Sequence, residues 1–79
     1  MRINIRYFAA FREATGLETE AVKTLASTTG ALFNECRGRH NGLENFTSSL
    51  VAINDEMAQW ESSIKEDDEV LFFPPVAGG

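Results

Sequence analysis

Hydrophobic and polar residues alternate at the start of the chain, where Ile3, Ile5 and Tyr7 are separated by Arg2, Asn4 and Arg6. A period of two marks a strand with one buried face, and it predicts a first strand over residues 2–8. Phe8 falls on the polar side of that alternation, an apolar ring out of place. Residues 11–16 allow about one helical turn closed by a glycine. A second strand is expected over residues 17–24, joined to the first by a connection short enough for an antiparallel pair. Ser27-Thr28-Thr29 ahead of Ala31, Leu32, Phe33 and Cys36 reads as an N-cap, with Thr28 the capping residue, followed by an amphipathic helix. Gly30 and Gly38 each weaken that helix by up to about 1 kcal/mol relative to alanine. It must therefore draw stability from packing Leu32, Phe33 and Cys36 on a sheet, while Arg37, Arg39 and His40 suit the negative pole of its dipole.

A polar stretch over residues 41–49, with Phe46 expected to tuck inward, leads to the next apolar run. Leu50-Val51-Ala52-Ile53 and Met57-Ala58-Gln59-Trp60 flank Asn54-Asp55-Glu56, residue types that tolerate the positive φ of a tight turn, and predict a β-hairpin with Trp60 in its second strand. The charged segment Lys65-Glu66-Asp67-Asp68 reads as a solvated turn, with an acidic docking patch as the alternative. A last strand is expected over residues 69–73, with Val70 and Phe72 inward and Leu71 outward. Several strands and one helix to cover one face give an α+β roll.

At 79 residues this is one domain, and 43% hydrophobic residues with six Phe supply a core. The lone Cys36 excludes an internal disulfide, and no Cys/His pair has zinc-site spacing, so no metal is expected. The formal charge of −5 argues against a nucleic-acid partner, because phosphate binding needs a basic surface. No segment resembles a signal peptide or approaches bilayer-spanning length, so no membrane association and a cytoplasmic location are expected.

The chain shows no catalytic constellation. His40 has no Ser or Cys placed as a partner by any recognisable motif, Cys36 sits in the apolar stripe of the helix, and no phosphate-binding glycine loop occurs. The distinctive group is the last stretch, Phe72-Phe73-Pro74-Pro75-Val76-Ala77-Gly78-Gly79. The prolines fix φ and remove two donors, so the chain must leave the sheet extended. The residues from Pro74 onward can reach roughly 20 Å at ~3.3 Å each. Gly78 and Gly79, without side chains, can pass a slot too narrow for any Cβ. The plain alternative is a frayed terminus.

Glu69-Val70-Leu71-Phe72-Phe73-Pro74-Pro75-Val76-Ala77-Gly78-Gly79 resembles the C-terminal signature of the MoaD-type small subunit of molybdopterin synthase, within the MoaD/ThiS family of ubiquitin-like sulfur carriers. Phe8-Ala9-Ala10-Phe11-Arg12-Glu13-Ala14-Thr15-Gly16 resembles the family's first strand and following loop. The resemblance covers the whole chain. It implies a β-grasp (ubiquitin-like) fold over residues 1–73, a mixed sheet of four to five strands with one main helix on one face, and a flexible sulfur-carrying tail over residues 74–79. It further implies that the first and last strands lie side by side and parallel, which periodicity does not show. Phe8, Leu71 and Phe73 then form an exposed partner-binding cluster beside the tail, joined by Met57 at a similar family position. The alternative is that some of these rings close a secondary core under residues 11–16.

The resemblance also implies a chemistry. An E1-like, MoeB-type enzyme uses ATP and magnesium to adenylate Gly79, and a persulfide sulfur from a sulfurtransferase displaces AMP to leave a thiocarboxylate. The tail (Pro74, Pro75, Val76, Ala77, Gly78) then enters a MoaE-type large subunit, in a heterotetramer of two small and two large subunits. Sulfur passes there to a pterin precursor, building the dithiolene of the molybdenum cofactor. The chain holds no permanent cofactor and is the non-catalytic donor subunit. Competing expectations are a carrier for thiamine or another thiolation pathway, a ubiquitin-like protein modifier, and an interaction module whose tail is idle.

Overall fold

The alternation at the N-terminus folds as predicted in the computed structural model, which describes residues 1–40 and 49–73. Phe46 and the tail residues Pro74, Pro75, Val76, Ala77, Gly78 and Gly79 lie outside the described residues. Strand β1 (Arg2–Tyr7) buries Ile3, Ile5 and Tyr7 and exposes Arg2, Asn4 and Arg6. It stops one residue short of the expected strand, although the Phe8 N–H still donates to the Phe72 carbonyl at 3.3 Å. A short helix α1 (Ala10–Thr15) follows, entered through Ala9 at φ 51°. It closes at Gly16, whose φ of 75° is left-handed and whose N–H returns to the Arg12 carbonyl, the αL cap that glycine takes without a Cβ clash. The second strand, β2 (Thr19–Lys23), is antiparallel to β1 and shorter than residues 17–24. The Thr15 hydroxyl bonds the N–H of Leu17 and holds that residue in the turn.

Helix α2 (Thr29–Arg39) begins at Thr28, whose hydroxyl accepts the N–H of Ala31 at 3.2 Å, as the sequence predicted. It buries Thr29, Leu32, Phe33 and Cys36 on the sheet. The hairpin forms from β3 (Leu50–Ile53) and β4 (Glu56–Ala58), with Asn54 and Asp55 at φ 51° and 70° as its two-residue turn. Glu56 thus belongs to the strand and not to the turn. β5 (Glu69–Phe73) completes one five-stranded sheet in the order β2-β1-β5-β3-β4, in which β1 and β5 are parallel and the other neighbours antiparallel. This is the β-grasp architecture, with α2 across one face.

Trp60 is not a strand residue. After Ala58 the Gln59 N–H donates to Ser62 Oγ and the chain turns, so Trp60 lies 5.2 Å from the ring of Phe33 and 6.2 Å from that of Phe72. Phe33 also stands 4.9 Å from Phe72 and 6.0 Å from Phe11 in an edge-to-face pair, so an aromatic cluster fills the core between helix and sheet. The same turn secures the start of α2. The Thr29 and Gly30 N–H groups donate to the carbonyls of Ser62 and Trp60, and the Thr29 hydroxyl donates to that of Gln59 at 2.6 Å.

This contact explains one of the two helix glycines. A Cβ on Gly30 would stand 3.0 Å from the Trp60 carbonyl oxygen, whereas one on Gly38 would meet nothing within 4 Å. The two alanine substitutions should therefore act in opposite directions. Gly38→Ala gains helix propensity and should stabilise by roughly 0.5–1 kcal/mol. Gly30→Ala pushes a backbone carbonyl out of its hydrogen bond and should cost about 1 kcal/mol net. Urea denaturation midpoints at constant m-value check both.

Candidate functional site

On the sheet face away from α2, the strand registers assemble residues far apart in sequence. Arg6 pairs with Leu71, Leu71 with Ala52, and Ala52 with Met57, giving one row across four strands. One step toward the C-terminal end of β5, Leu50 pairs with Phe73, and Phe8 flanks them at the end of β1 through its bond to Phe72. Neighbouring strands lie about 4.8 Å apart, so Leu71, Ala52, Met57, Phe73, Leu50 and Phe8 form a continuous apolar surface with Arg6 at its edge. Phe8 and Met57 are 59% and 65% exposed, which removes them from any secondary core. Leu50, Leu71 and Phe73 are half-buried. Ala52, 5% exposed, forms the floor between Leu71 and Met57. The four residues expected at a docking surface thus share one face, beside the point at which residues 74–79 continue from Phe73.

Two contributors escaped the sequence reading. Leu50 and Ala52 lie in an unbroken apolar run, Leu50-Val51-Ala52-Ile53, where no alternation tells the inner face from the outer. Only the β3–β5 register assigns them, since Val51 and Ile53 pack on the core while their neighbours face out.

The other polar features serve the fold. Tyr7 donates its hydroxyl to Glu20 Oε1 at 2.8 Å, His40 Nε2 lies 3.1 Å from the same oxygen and Arg39 3.7 Å from it. Burial opposes the charge of Glu20, but the hydrogen bonds from Tyr7 and His40 and the Arg39 guanidinium outweigh it and hold the carboxyl below its ordinary range. Burial, with the neighbouring Cys36 and Glu20, pushes the Tyr7 phenol well up, so it stays a donor. Burial likewise raises the thiol of Cys36, which is fully buried and 3.5 Å from the Tyr7 oxygen, so no thiolate is available as a nucleophile. His40 and Glu20 therefore clasp the end of α2 to β2 rather than act on a substrate.

Glu20→Gln should cost about 1 kcal/mol at neutral pH. The carboxyl is depressed in the folded state, so its contribution is present above the unfolded carboxylate pKa near ~4.3 and is lost as pH falls through the folded value. The stability gap between parent and variant should accordingly close in acid, measured by thermal unfolding from neutral pH downward.

The Lys65-Glu66-Asp67-Asp68 turn is likewise built into the framework. Asp68 accepts the Lys65 N–H and the Asn54 amide, Glu66 accepts the N–H of Arg2, and Asp67 takes φ 68°. The carboxylates of Glu66 and Asp68 thus brace the turn, while Asp67 takes part through its backbone. Among the described residues no group of three or more His, Cys, Asp or Glu could hold a metal ion, and no helix is long and apolar enough to cross a membrane.

The ThiS family profile matches residues 5–79, all of the sheet beyond the first residues of β1 and the tail through Gly79. The chain belongs to the ThiS family. Among its relatives, the molybdopterin synthase sulfur carrier subunit of Haemophilus influenzae is 33% identical over 81 residues, covering 98% of this chain and 99% of the relative. The crystal structure of SAMP1 from Haloferax volcanii, a small archaeal modifier protein, superposes with a TM-score of 0.85 at 27% identity and covers all of both chains. A complex of subunits 1 and 2 of the molybdopterin-converting factor from Helicobacter pylori contains a chain matching at TM-score 0.69 and 25% identity, again over the full length of both. The two superpositions cover the fold described above over the full chain.

Proposed function

We propose that this chain is the sulfur carrier subunit of a molybdopterin synthase, with Gly79 the residue that bears the sulfur. The observation that carries the reading is the apolar outer face formed by Phe8, Leu50, Met57, Leu71 and Phe73 at the end of the sheet from which the family's Gly-Gly sequence follows. A face of this kind holds the body against a partner while the tail reaches into that partner's active site. The full-length similarity to a curated sulfur carrier subunit, and to a chain found in complex with subunit 2 of molybdopterin-converting factor, supports a MoaE-type large subunit as that partner.

A carboxylate is a poor electrophile, and activation of Gly79 as an acyl adenylate supplies a good leaving group. An E1-like enzyme performs that step with ATP and magnesium; the outer sulfur of a persulfide displaces AMP to give an acyl disulfide, and a second thiol of the charging enzymes cleaves its S–S bond, releasing the thiocarboxylate and ending as a disulfide. The softer sulfur is then the nucleophile transferred to the pterin precursor. This chain contributes delivery and position, the large subunit the pocket and catalytic groups. Incubation with an E1-like adenylating enzyme, ATP and a sulfur donor, followed by intact-mass measurement, should show one oxygen of the chain replaced by sulfur. No change in mass under conditions that charge a known carrier overturns the reading.

The similarity to a small archaeal modifier protein favours one second reading, attachment of Gly79 to lysines of other proteins. Gly-Gly remnants on lysines of other proteins, recovered by mass spectrometry from the native cell, would select it; a thiocarboxylate without such remnants selects the carrier.

A further inference from the structure

The outer face of the sheet is not uniform along its strands. The end nearest Phe73 is apolar, whereas the opposite end carries Arg2 and Lys23, both exposed and direct partners across the β1–β2 ladder. Side chains opposite one another on one face of an antiparallel pair have Cβ atoms about 5 Å apart, and like charges there are destabilising. Among the described residues neither side chain has an ion-pair partner. Glu69 is 3.7 Å from Arg6, and Glu66 meets the backbone N–H of Arg2 at 2.6 Å rather than its guanidinium. In a chain with twelve acidic and seven basic residues, a repulsive pair of cations stands on the one face that also carries the apolar patch.

We propose that Arg2 and Lys23 form a basic rim of the docking face and meet carboxylates on the large subunit that receives the tail. The inference rests on the function proposed above and adds the charge of the surface that must face this one. Six residues of strand separate Arg2 from Phe8, about 20 Å. A standard interface covers about 800 Å² per partner, roughly 28 Å on a side. Centred on Leu71, which is level with Arg6 and so about 13 Å along the strand from Arg2, such a footprint extends about 14 Å each way and takes in the basic pair at its edge. Charges at a rim act mainly through the association rate and its dependence on salt. A nucleic acid is disfavoured as occupant by the net charge of −5 and by the apolar half of the same face.

The test follows association with the purified MoaE-type large subunit by stopped flow over ionic strengths from about 0.02 to 0.5 M. Lys23→Glu turns the repulsive pair into a cross-strand ion pair. It should keep or raise Tm while slowing association about fivefold at low salt. Arg2→Glu with Lys23→Glu restores like charges of opposite sign, and should slow association further and flatten or invert its salt dependence. Dissociation rates should change little. If both variants associate as the wild type does at every ionic strength while Phe73→Asp still weakens binding, the rim is overturned and the docking face stands. A fall in Tm for Lys23→Glu makes the pair structural and also overturns it. Failure of the wild-type chain to bind the large subunit overturns rim and docking face together.

Discussion

Gly79→Ala should fold like its parent, with an unchanged unfolding midpoint, and should acquire sulfur at least about a hundred times more slowly. The expected size follows from positioning, since displacing a reacting group by about 1 Å from its attack geometry costs on the order of 10²-fold. A Cβ on the last residue obliges either that displacement or a widening of the partner's slot. The described body of the fold ends at Phe73, its sheet spans residues 2–73 and its core cluster is drawn from residues 3–72, so stability is not expected to depend on this substitution. Intact-mass measurement of the charged fraction against time, beside a thermal melt, separates the two effects. Charging at the parent's rate would remove the argument that a bare terminal glycine is needed.

The second large effect is expected at Phe73. Phe73→Asp should weaken binding to the large subunit by about a hundredfold, near 2.7 kcal/mol, while costing less than about 1 kcal/mol of folding stability. The ring is half-buried on the outer face opposite Leu50. An aspartate there keeps its charge in water in the free protein, but must be desolvated against an apolar partner surface. Its neighbour Phe72 provides the contrast. That ring is fully buried between Phe33 and Trp60, and its truncation to alanine should cost 3–5 kcal/mol of stability, as core aromatic truncations do. Isothermal titration of Phe73→Asp with the large subunit, together with urea unfolding, checks the expectation. Equal losses of binding and stability would return Phe73 to the core.

Local pattern carried most of the elements because their signals are local. The alternation over residues 2–7, the cap at Thr28, the turn residues Asn54 and Asp55, and the inward Val70 and Phe72 each follow from side-chain direction or φ preference within a few residues. The misreadings arose where one pattern supports two folds. Met57-Ala58-Gln59-Trp60 continues the appearance of a strand, yet Gln59, Trp60 and Ser62 turn away to offer their carbonyls to α2. Gly30 weakens the helix by propensity alone, yet the Trp60 carbonyl occupies the space of its missing side chain. The clasp of Tyr7, Glu20, Arg39 and His40 joins three elements and leaves no signature in any one of them.

The sequence by itself determined the faces of β1 and β5 and the apolar stripe of α2, and the proposal for Gly79 starts from the family resemblance of its Gly-Gly end. Tertiary structure alone decided that Phe8, Leu50, Met57, Leu71 and Phe73 share one surface. Pairing between β1 and β5, and between β5 and β3, depends on closing loops of tens of residues around a common core. The free energy of that closure lies in contacts between distant residues, and no periodicity within a single strand records it.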